Sequence, residues 1–548
     1  MASTQYVLSH LQQLIEKIAV ALANEVQDVK NPKKLDRVKV EAIQPEAFGL
    51  ARLMAEVAAA DALVKYAEQF STGDGLEKGL AAFYVGELAL HLESYILGRE
   101  RKFQIENDAL GFSRDFVSEI RSVDFCKKLT ESMAERTKEF GGSYGLSEDH
   151  RAIAEAFTRF GQEQLAPMAE KIHCNDQLIP EKILSGLREL GVFGISIPEE
   201  FGGTFIDHRS MIIATEELSV ASLGAGGSVI TRPEICAKAI MSGGTAEQKQ
   251  KWLPKIAAGE HMVCVAVTEP NAGSDVANVN VTAKKAVGGY VINGEKTWCT
   301  FAGRADLFIL LARTGDNGYK GLTLFLVEKP AFTSETPPTD AVNEYSFTYT
   351  NPGGGKISGH AIPTIGYRGM HSFSVAFDDF FIPEANRIGK EGEGFILQMK
   401  GFAGGRIQTA ARALGVMEAA FREALKYVKD REIFGKHMIE FPLSQLKLVQ
   451  MAARIQAGRQ LTYRIADAMD EGQGEKEASL VKLLTCGDAE FVTREAMQLH
   501  GGMGYSEEYA VSRYFCDARV LSIFEGAEEV LALAVIARQK FSEILEGA

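Results

Sequence analysis

Over roughly the first 142 residues, apolar positions recur with a helical period. Leu8, Leu11, Ile15 and Ile18 fall on one face of a predicted helix, and two more helical stretches follow, separated by the turn residues "STGDG". The glycine-containing segment "KEFGGSYGLSEDH" then marks a boundary, with Ser147 suited to cap the next helix. The pattern predicts a helical extension over residues 1–142.

In the remainder of the chain, the period at which apolar residues recur changes twice. Residues 143–262 are helical in pattern, whereas residues 263–391 contain β-like runs such as "LFILLART" and "LTLFLVEK". Asn293-Gly294 favours a hairpin turn, and residues 333–361 resemble a loop. From residue 392 to 548 long amphipathic helices with short connections predict a four-helix bundle. The expected fold class is therefore mostly α with a central β domain, in four successive domains.

Composition excludes several classes of function. A net charge of -14 argues against nucleic acid as a main partner. No apolar stretch reaches the roughly 18 residues of a transmembrane helix, so no membrane association is expected. The seven cysteines include no CxxC pair, which argues against a structural zinc site and a disulfide framework and fits a reducing cytoplasm. We expect a cytoplasmic protein without a bound metal.

The segment "LSIFEGAEEV" near the C-terminus contains the first candidate catalytic residue, Glu525. One interpretation is structural: Glu525, Glu528 and Glu529 precede an apolar run, where acidic side chains offset a helix dipole. The functional interpretation is a partly desolvated general base, because a carboxylate in a dry site has a raised proton affinity. Gly526 would let a substrate approach closely.

Other segments indicate a ligand made of a planar ring and phosphates, although each also has an ordinary structural explanation. "VAVTEPNAGSDVANV" is a small-residue loop with hydroxyls at Thr268 and Ser274, which equally fits a simple turn. Trp298 and Thr300 end a strand, where a tryptophan is more often part of a core. "DREIFGK" and "QLHGGMGY" each lie at a helix end, where a solvated charge and a glycine cap are the alternatives.

The order and spacing of these segments resemble the acyl-CoA dehydrogenase family. The motifs that carry the resemblance are "VTEPNAGSD", "VINGEKTWCT", "GYRGMHSF", "GGRIQTAARALG", "DREIFGK", "QLHGGMGY" and "IFEGAEEV", over residues 145–540. The resemblance implies a helical domain, a β domain and a C-terminal four-helix bundle. It also implies FAD as cofactor, an acyl-CoA substrate, an electron-transfer flavoprotein as electron acceptor and a homo-oligomer, either dimer or tetramer.

The resemblance further implies roles for individual residues. Glu525 matches the catalytic base, and Gly526 lies against the substrate. The residues that match FAD contacts are Val267, Thr268, Ser274, Trp298, Thr300, Arg431, Phe434, Gln498, Gly501, Gly502 and Glu529. Phe402 and Arg406 match positions near CoA. The chain departs from the family where Ala403 replaces an aspartate, Ala527 a threonine and Glu529 a glutamine.

Two features narrow the expectation within the family. The extension and the insertion "EYSFTYTNPGGGKISGHAIPTIGYRGMHSF" resemble the branch that oxidises (2S)-methylsuccinyl-CoA to mesaconyl-CoA in the ethylmalonyl-CoA pathway. A buried substrate carboxylate needs a cation or several donors, for which Arg232 is the first candidate and Tyr367 and His371 are the second. Alternatives are another short-chain or branched-chain dehydrogenase, an acyl-CoA oxidase that uses O2, and a non-catalytic helical interaction protein on the same scaffold.

Overall fold

The computed structural model describes residues 3–71, 73–332, 345–474 and 477–547. The chain forms two compact units, one made of residues 1–152 and 409–548 and the other of residues 153–408. The first part of the predicted loop, residues 333–344, lies outside the described residues. The remainder contains the strands Ser346–Thr350 and Lys356–Ala361, so for that part the loop prediction is wrong. The three boundaries between the four predicted domains stay predictions. Among the described helices, none combines the length and the apolar character needed to cross a bilayer.

The N-terminal part of the first unit is helical, as predicted. Ser3 caps the first helix by accepting a hydrogen bond from the Tyr6 amide at 3.2 Å, and Leu8, Leu11 and Ile15 are buried on one face. The helices are α1 (Thr4–Glu25), α2 (Arg37–Ala42), α3 (Gln44–Phe70), α4 (Leu76–Ile96), α5 (Glu100–Phe103), α6 (Arg114–Ile120) and α7 (Val123–Ala134).

The next helices lead to the β domain. Ser147 accepts a hydrogen bond from the amide of His150 at 3.2 Å, at the start of the next helix, and Thr245 and Gln248 form a capping box at the last one. Two π-helical turns, Gly161–Leu165 and Leu223–Gly227, interrupt the series. The helices are α8 (Glu148–Phe160), α9 (Ala166–Cys174), α10 (Glu181–Glu189), α11 (His208–Ala221), α12 (Thr231–Gly243) and α13 (Ala246–Ala257).

The β domain is one sheet of nine strands among the described residues. Its strands are β1 (Val263–Ala266), β2 (Thr282–Ala286), β3 (Gly289–Thr300), β4 (Leu307–Arg313), β5 (Leu322–Glu328), β6 (Ser346–Thr350), β7 (Lys356–Ala361), β8 (Ser372–Pro383) and β9 (Arg387–Ile388). Their order is β6-β7-β8-β3-β2-β4-β5-β9, with β1 parallel to β4. The insertion therefore adds β6 and β7 at one edge.

The two faces of this sheet bury different partners. On β4, Leu307, Ile309 and Leu311 belong to a cluster with residues of α12 and α13, whereas Phe308 and Leu310 belong to a cluster on the opposite face. The strand is thus buried on both sides, which explains why its sequence is apolar without alternation.

The predicted turn at Asn293-Gly294 is wrong. The chain turns at Val287-Gly288, where Ala286 pairs with Gly289, and Gly288 has a φ of 78°. Gly294 instead lies inside β3, at an irregularity in the pairing with β8, and its φ of 132° is one that glycine adopts most easily.

The C-terminal helices follow the β domain, and the chain belongs to the first unit from Thr409 onward. They are α14 (Gly394–Asp430), α15 (Pro442–Asp470), α16 (Ala478–Leu499), α17 (Ala510–Leu521) and α18 (Arg538–Gly547), with a short hairpin of β10 (Glu432–Ile433) and β11 (Lys436–His437) after α14. A π-helical segment, Val530–Ala537, leads directly into α18. Ala51 of α3 packs with Leu483, Ala532 and Ile536, so the extension contacts this bundle within the unit. The predicted fold class is confirmed.

Candidate active site

Glu525 lies in a tight turn between α17 and the Val530–Ala537 segment. The φ angles of Glu525 and Gly526 are 54° and 101°, both in the left-handed region, which costs free energy for a residue with a side chain. A Cβ atom on Gly526 would come within 2.9 Å of Leu531 Cδ2. The turn therefore requires a glycine after Glu525.

The carboxylate of Glu525 is directed towards α14. Its Oε2 accepts hydrogen bonds from Thr409 Oγ1 at 2.5 Å and from Arg412 Nη2 at 2.8 Å. The Arg412 side chain is fully buried, while that of Glu525 keeps 17% of its surface exposed. Within the described part of the chain, no group donates to the other oxygen, Oε1, which leaves it able to accept a proton.

These surroundings differ from the apolar ones that the sequence predicts. The carboxylate meets a guanidinium, and the ring of Phe524 lies 4.9 Å from the central carbon of Arg412. Glu525 also precedes the helix that begins at Val530 without belonging to its first turn. Its carboxylate is therefore engaged with Arg412 and Thr409 rather than with the start of that helix.

Lys482 of α16 stabilises the same turn. Its Nζ donates a hydrogen bond to the carbonyl oxygen of Gly526 at 2.6 Å, and the side chain is buried. Burial lowers the pKa of Lys482, although nearby acidic groups such as Cys486 and Glu525 oppose that shift. Two buried cations therefore contact this turn: the Lys482 ammonium binds the backbone carbonyl of Gly526, and the Arg412 guanidinium binds the carboxylate of Glu525.

In the second unit, several predicted ligand contacts lie at neighbouring strand ends. The carbonyl of Val267 accepts a hydrogen bond from Lys296 Nζ at 2.8 Å, and that of Thr268 accepts one from the Thr297 amide at 2.9 Å. Trp298 has a left-handed backbone, with a φ of 56°, and is 55% exposed. An indole exposed in this way at the end of a strand suits the stacking of a planar ring.

Two other predicted contacts in this unit differ in exposure. The hydroxyl of Thr300 lies 2.9 Å from the hydroxyl of Ser372, and Thr300 is half-buried. Ser274 is exposed in the loop after β1. The structure brings Val267, Thr268 and Thr300 to one region of the sheet and leaves Ser274 on a solvent-facing loop.

In the first unit, the segments "DREIFGK" and "QLHGGMGY", which contain predicted FAD contacts, lie at the ends of two helices that are neighbours. The ring of Tyr427 on α14 lies 4.2 Å from that of His500, which follows α16. The predicted contacts in the last turn of α16 or just beyond the two helix ends, all exposed, are Arg431, Phe434, Gln498, Gly501 and Gly502. Phe434 is 94% exposed with a φ of 49°. Its ring centroid lies 6.4 Å from that of Phe441, and an aromatic side chain so exposed is suited to being covered by another surface.

Arg232 of α12 is buried, with 7% of its surface exposed. Its Nη1 donates to the carbonyl of Ser228 at 2.6 Å and its Nη2 donates to the hydroxyl of Tyr367 at 2.9 Å. It forms no ion pair with a carboxylate of the described residues. Arg232 is therefore not an ordinary surface arginine. His371, by contrast, lies 3.0 Å from the carboxylate of Asp176.

The remaining predicted positions are less constrained. Phe402 is half-buried against the cluster between the sheet and α12 and α13, and burial lowers the pKa of Arg406. Glu529 is exposed at the start of the Val530–Ala537 segment. Sequence reasoning missed Thr409, Arg412 and Lys482. For Arg412 the sequence did offer a signal: it lies within the largely apolar stretch 407–417 of a predicted helix. A charged side chain in such a stretch is buried only when it has a partner.

Comparison with known proteins matches this architecture to one family over most of the chain. Models of the N-terminal, middle and C-terminal domains of acyl-CoA dehydrogenase match residues 147–260, 264–379 and 392–541. The (2S)-methylsuccinyl-CoA dehydrogenase of Cereibacter sphaeroides is 44% identical over 402 residues, which are 73% of this chain and 70% of that protein.

Two solved structures are similar in fold. The butyryl-CoA dehydrogenase from Megasphaera elsdenii has a TM-score of 0.64 and 32% identity, covering 72% of this chain and 98% of its own. A glutaryl-CoA dehydrogenase in complex with glutaryl-CoA has a TM-score of 0.66 and 28% identity, covering 72% and 96%. These matches confirm the family expected from the motifs.

The cofactor of this family is FAD, and the residues of this chain fit it. The half-exposed indole of Trp298 beside Thr268 and Thr300 suits the isoalloxazine ring, and exposed small residues such as Gly501 and Gly502 permit close approach of a ligand. An acyl-CoA is the substrate. The chain belongs to the acyl-CoA dehydrogenase family and is an FAD-dependent oxidoreductase of acyl-CoA thioesters.

Proposed function

We propose that this enzyme oxidises (2S)-methylsuccinyl-CoA to mesaconyl-CoA in the ethylmalonyl-CoA pathway, with Glu525 as the base. The observation that carries the substrate proposal is the buried Arg232, which has neutral partners and no carboxylate partner among the described residues. A buried charge without a counter-ion costs several kcal/mol. An anionic group on the substrate would remove that cost.

Glu525 is suited to remove the α-proton of the thioester. Its Oε2 is fixed by Thr409 and Arg412, and its Oε1 is the oxygen that takes the proton. Because Oε2 is fixed, Oε1 can occupy only a few positions. A general base that is held in a defined orientation towards the proton removes it more efficiently. Gly526, without a side chain, lets the acyl chain lie against the turn.

The charge that develops on the thioester oxygen needs hydrogen-bond donors. In this family a backbone amide at the base residue is one of them, and the left-handed turn at Glu525 and Gly526 sets its direction. When bound, FAD accepts the hydride that leaves the β-carbon.

Two groups of residues would hold the cofactor. The ring would contact Val267, Thr268, Trp298 and Thr300, and Ser274 would contact phosphate or acyl-CoA. The ADP part would be held by Arg431, Phe434, Gln498, Gly501 and Gly502 from the partner subunit of a homo-oligomer, and Glu529 would lie near the cofactor. Phe402 and Arg406 would lie near CoA. The exposure of Phe434 supports the subunit contact, because an interface would cover it.

The comparisons support a dicarboxylic substrate. The Cereibacter sphaeroides relative is a methylsuccinyl-CoA dehydrogenase, and one similar fold binds glutaryl-CoA, whose acyl group also ends in a carboxylate. Of the residues considered for the substrate carboxylate, Tyr367 shares a hydrogen bond with Arg232, and His371 is engaged by Asp176. Arg232 is therefore the leading ligand and Tyr367 its support.

The test compares three thioesters. Methylsuccinyl-CoA, butyryl-CoA and isobutyryl-CoA are assayed with wild type, Arg232→Leu and, as a control that keeps the cation, Tyr367→Phe. We expect wild type to prefer methylsuccinyl-CoA and Arg232→Leu to raise its KM by at least about tenfold, with a smaller effect in the control. If wild type turns over butyryl-CoA equally well, the substrate is wrong; if Arg232→Leu keeps the preference, the arginine is not the ligand.

The electron acceptor in this proposal is an electron-transfer flavoprotein, and the location is the cytoplasm. An oxidase would instead pass electrons to O2. Measuring reduction of an artificial dye against formation of hydrogen peroxide separates the two, and peroxide formation at the rate of substrate oxidation would contradict the dehydrogenase.

A further inference from the structure

Tyr367 has a strained backbone beside the proposed ligand of the substrate carboxylate. Its φ of 60° lies in the left-handed region, which is costly for a bulky residue and persists only where the surroundings impose it. The side chain is buried, and its hydroxyl accepts the hydrogen bond from Arg232 Nη2 at 2.9 Å. Strain of this kind is concentrated at functional sites, so the conformation of Tyr367 points to a role in the second unit.

The strained residue lies where the chain packs tightly against the π-helical turn Leu223–Gly227. A Cβ atom on Gly224 would come within 2.2 Å of the carbonyl oxygen of Arg368 and within 3.3 Å of the carbonyl carbon of Tyr367. Both are backbone atoms, so a larger residue at this position would have to displace the chain itself. Gly224 therefore lets the peptide between Tyr367 and Arg368 lie directly on the turn.

The far end of the same segment is fixed beside a proposed flavin contact. The carbonyl of His371 accepts a hydrogen bond from the Phe301 amide at 2.7 Å, and the hydroxyl of Ser372 lies 2.9 Å from that of Thr300. Residues 367–372 thus connect the hydroxyl that contacts the buried arginine to the strand end at which we propose a contact with the flavin ring.

The guanidinium of Arg232 is held on two sides. Its Nη1 donates to the carbonyl of Ser228 at 2.6 Å and its Nη2 donates to the hydroxyl of Tyr367. The other N–H groups of this guanidinium form no hydrogen bond with the described residues. Because a guanidinium is planar and rigid, two such bonds fix the direction of its remaining donors.

We infer that Gly224 and Tyr367 are positioning residues for Arg232, and that through it they set the preference of the enzyme for a substrate with a free carboxylate. This inference rests on the proposed function and adds the residues that determine its specificity. The strained Tyr367 holds the guanidinium with its other donors towards the carboxylate, and Gly224 makes room for that strained backbone. A thioester without the carboxylate makes no use of the guanidinium and therefore depends less on either residue.

The test measures kcat and KM for methylsuccinyl-CoA and for butyryl-CoA with holoenzymes of wild type, Gly224→Ala, Tyr367→Phe and the double variant. We expect each single substitution to raise the ratio of KM for methylsuccinyl-CoA to KM for butyryl-CoA at least about threefold. The double variant should show no larger change than the stronger single variant, because both substitutions act through one hydrogen bond. Gly315→Ala is the control, since its Cβ atom would make only an ordinary contact, 3.5 Å from Gly321 Cα.

The outcomes separate this inference from the proposed function. An unchanged KM ratio in either single variant would overturn the inference and leave the proposed substrate intact, and so would changes that multiply in the double variant. If Gly224→Ala does not fold with FAD, Tyr367→Phe decides alone, because it keeps the ring and removes only the hydroxyl. A wild type that turns over butyryl-CoA as well as methylsuccinyl-CoA would overturn the proposed substrate and this inference with it.

Discussion

Lys482 donates a hydrogen bond from Nζ to the carbonyl oxygen of Gly526 at 2.6 Å, and its side chain is buried. Among the described residues, no carboxylate forms an ion pair with it. The ammonium therefore acts on the backbone of the turn that carries Glu525. Since the φ angles of Glu525 and Gly526 are both left-handed, this turn depends on such external contacts.

Replacing Lys482 with methionine should lower kcat by about tenfold and change KM little. Methionine fills a similar volume but leaves the Gly526 carbonyl without its donor, so the base loses its fixed direction. Steady-state kinetics on methylsuccinyl-CoA measure the effect, with Lys540→Met as the control for loss of a lysine. An unchanged kcat would show that the turn keeps its shape without the ammonium.

Glu418 should stabilise the first unit in a pH-dependent way. Its carboxylate lies 2.9 Å from both Arg422 and Arg459 and accepts a hydrogen bond from the hydroxyl of Tyr144 at 3.0 Å. Burial raises the pKa of Glu418, but the two guanidinium groups outweigh it and lower that pKa to about 2. The folded value is below the unfolded one of about 4.3. The stabilisation is therefore complete above about pH 4.5 and is lost as the pH falls towards about 2.

The matching experiment compares urea unfolding of wild type and Glu418→Gln across that pH range. Breaking a buried pair costs about 3–5 kcal/mol, so the difference in the free energy of unfolding should be of that size at neutral pH and shrink below pH 4.5. Glu41→Gln, at an exposed ion pair, is the control. A difference that stays constant down to the lowest accessible pH would contradict the assignment.

The buried pair of Lys296 and Glu269 should stabilise the strand end at Val267, where we propose a flavin contact. The two side chains are 2.8 Å apart, and Glu269 also accepts hydrogen bonds from the amides of Asn280 and Val281. Burial lowers the pKa of Lys296, and Glu269 opposes that shift. Lys296→Met leaves a buried carboxylate without its cation, which costs about 3–5 kcal/mol.

The double variant Lys296→Met/Glu269→Gln should be more stable than Lys296→Met alone. Glutamine removes the uncompensated charge but keeps only one acceptor oxygen, so one of the two amides loses its partner and the recovery of stability is partial. Chemical unfolding and FAD titration of both variants test this expectation. If the second substitution adds a further loss of stability, the charge is not the source of the effect.

Arg431→Ala and Phe434→Ala should weaken FAD retention and dissociate the oligomer together. An arginine can bind pyrophosphate through two hydrogen bonds, and the exposed ring of Phe434 is available to a partner subunit. Light scattering gives the mass, and the ratio of flavin to protein absorbance gives the FAD content. Val287→Ala, at an exposed apolar residue of the β2–β3 turn, is the control. Loss of FAD without a change of mass would place all the contacts in one subunit.

Periodicity predicted the main elements of the fold because burial dominates long segments. The face of α1 with Leu8, Leu11 and Ile15 is buried as expected, and so is the apolar strand β4. The pair Asn293-Gly294 led to a wrong turn prediction, because the same residue types that favour turns also occur at irregularities within a strand. The helix α17 (Ala510–Leu521) was not predicted, because its buried face includes the charged residues Arg513 and Asp517 and therefore does not form an unbroken apolar stripe.

The site could be predicted only where the residues form motifs. Glu525 and Gly526 are adjacent and belong to a recognisable segment, whereas Arg412 is 113 residues away from its partner. A pairing at that separation depends on how helices pack, which local pattern does not specify. The burial of Arg232 could be predicted because Val229, Ile230 and Ile235, its neighbours in sequence, are apolar.

The central claim is tested most directly by anaerobic stopped-flow reduction of the flavin by methylsuccinyl-CoA in Glu525→Gln. Glutamine preserves the shape of the side chain but cannot take the α-proton, so reduction should be at least about 10²-fold slower than in wild type, with FAD and substrate binding retained. Glu528→Gln, in the same turn, is the control and should be reduced at nearly the wild-type rate. Reduction of Glu525→Gln at a rate close to that of wild type would contradict the account.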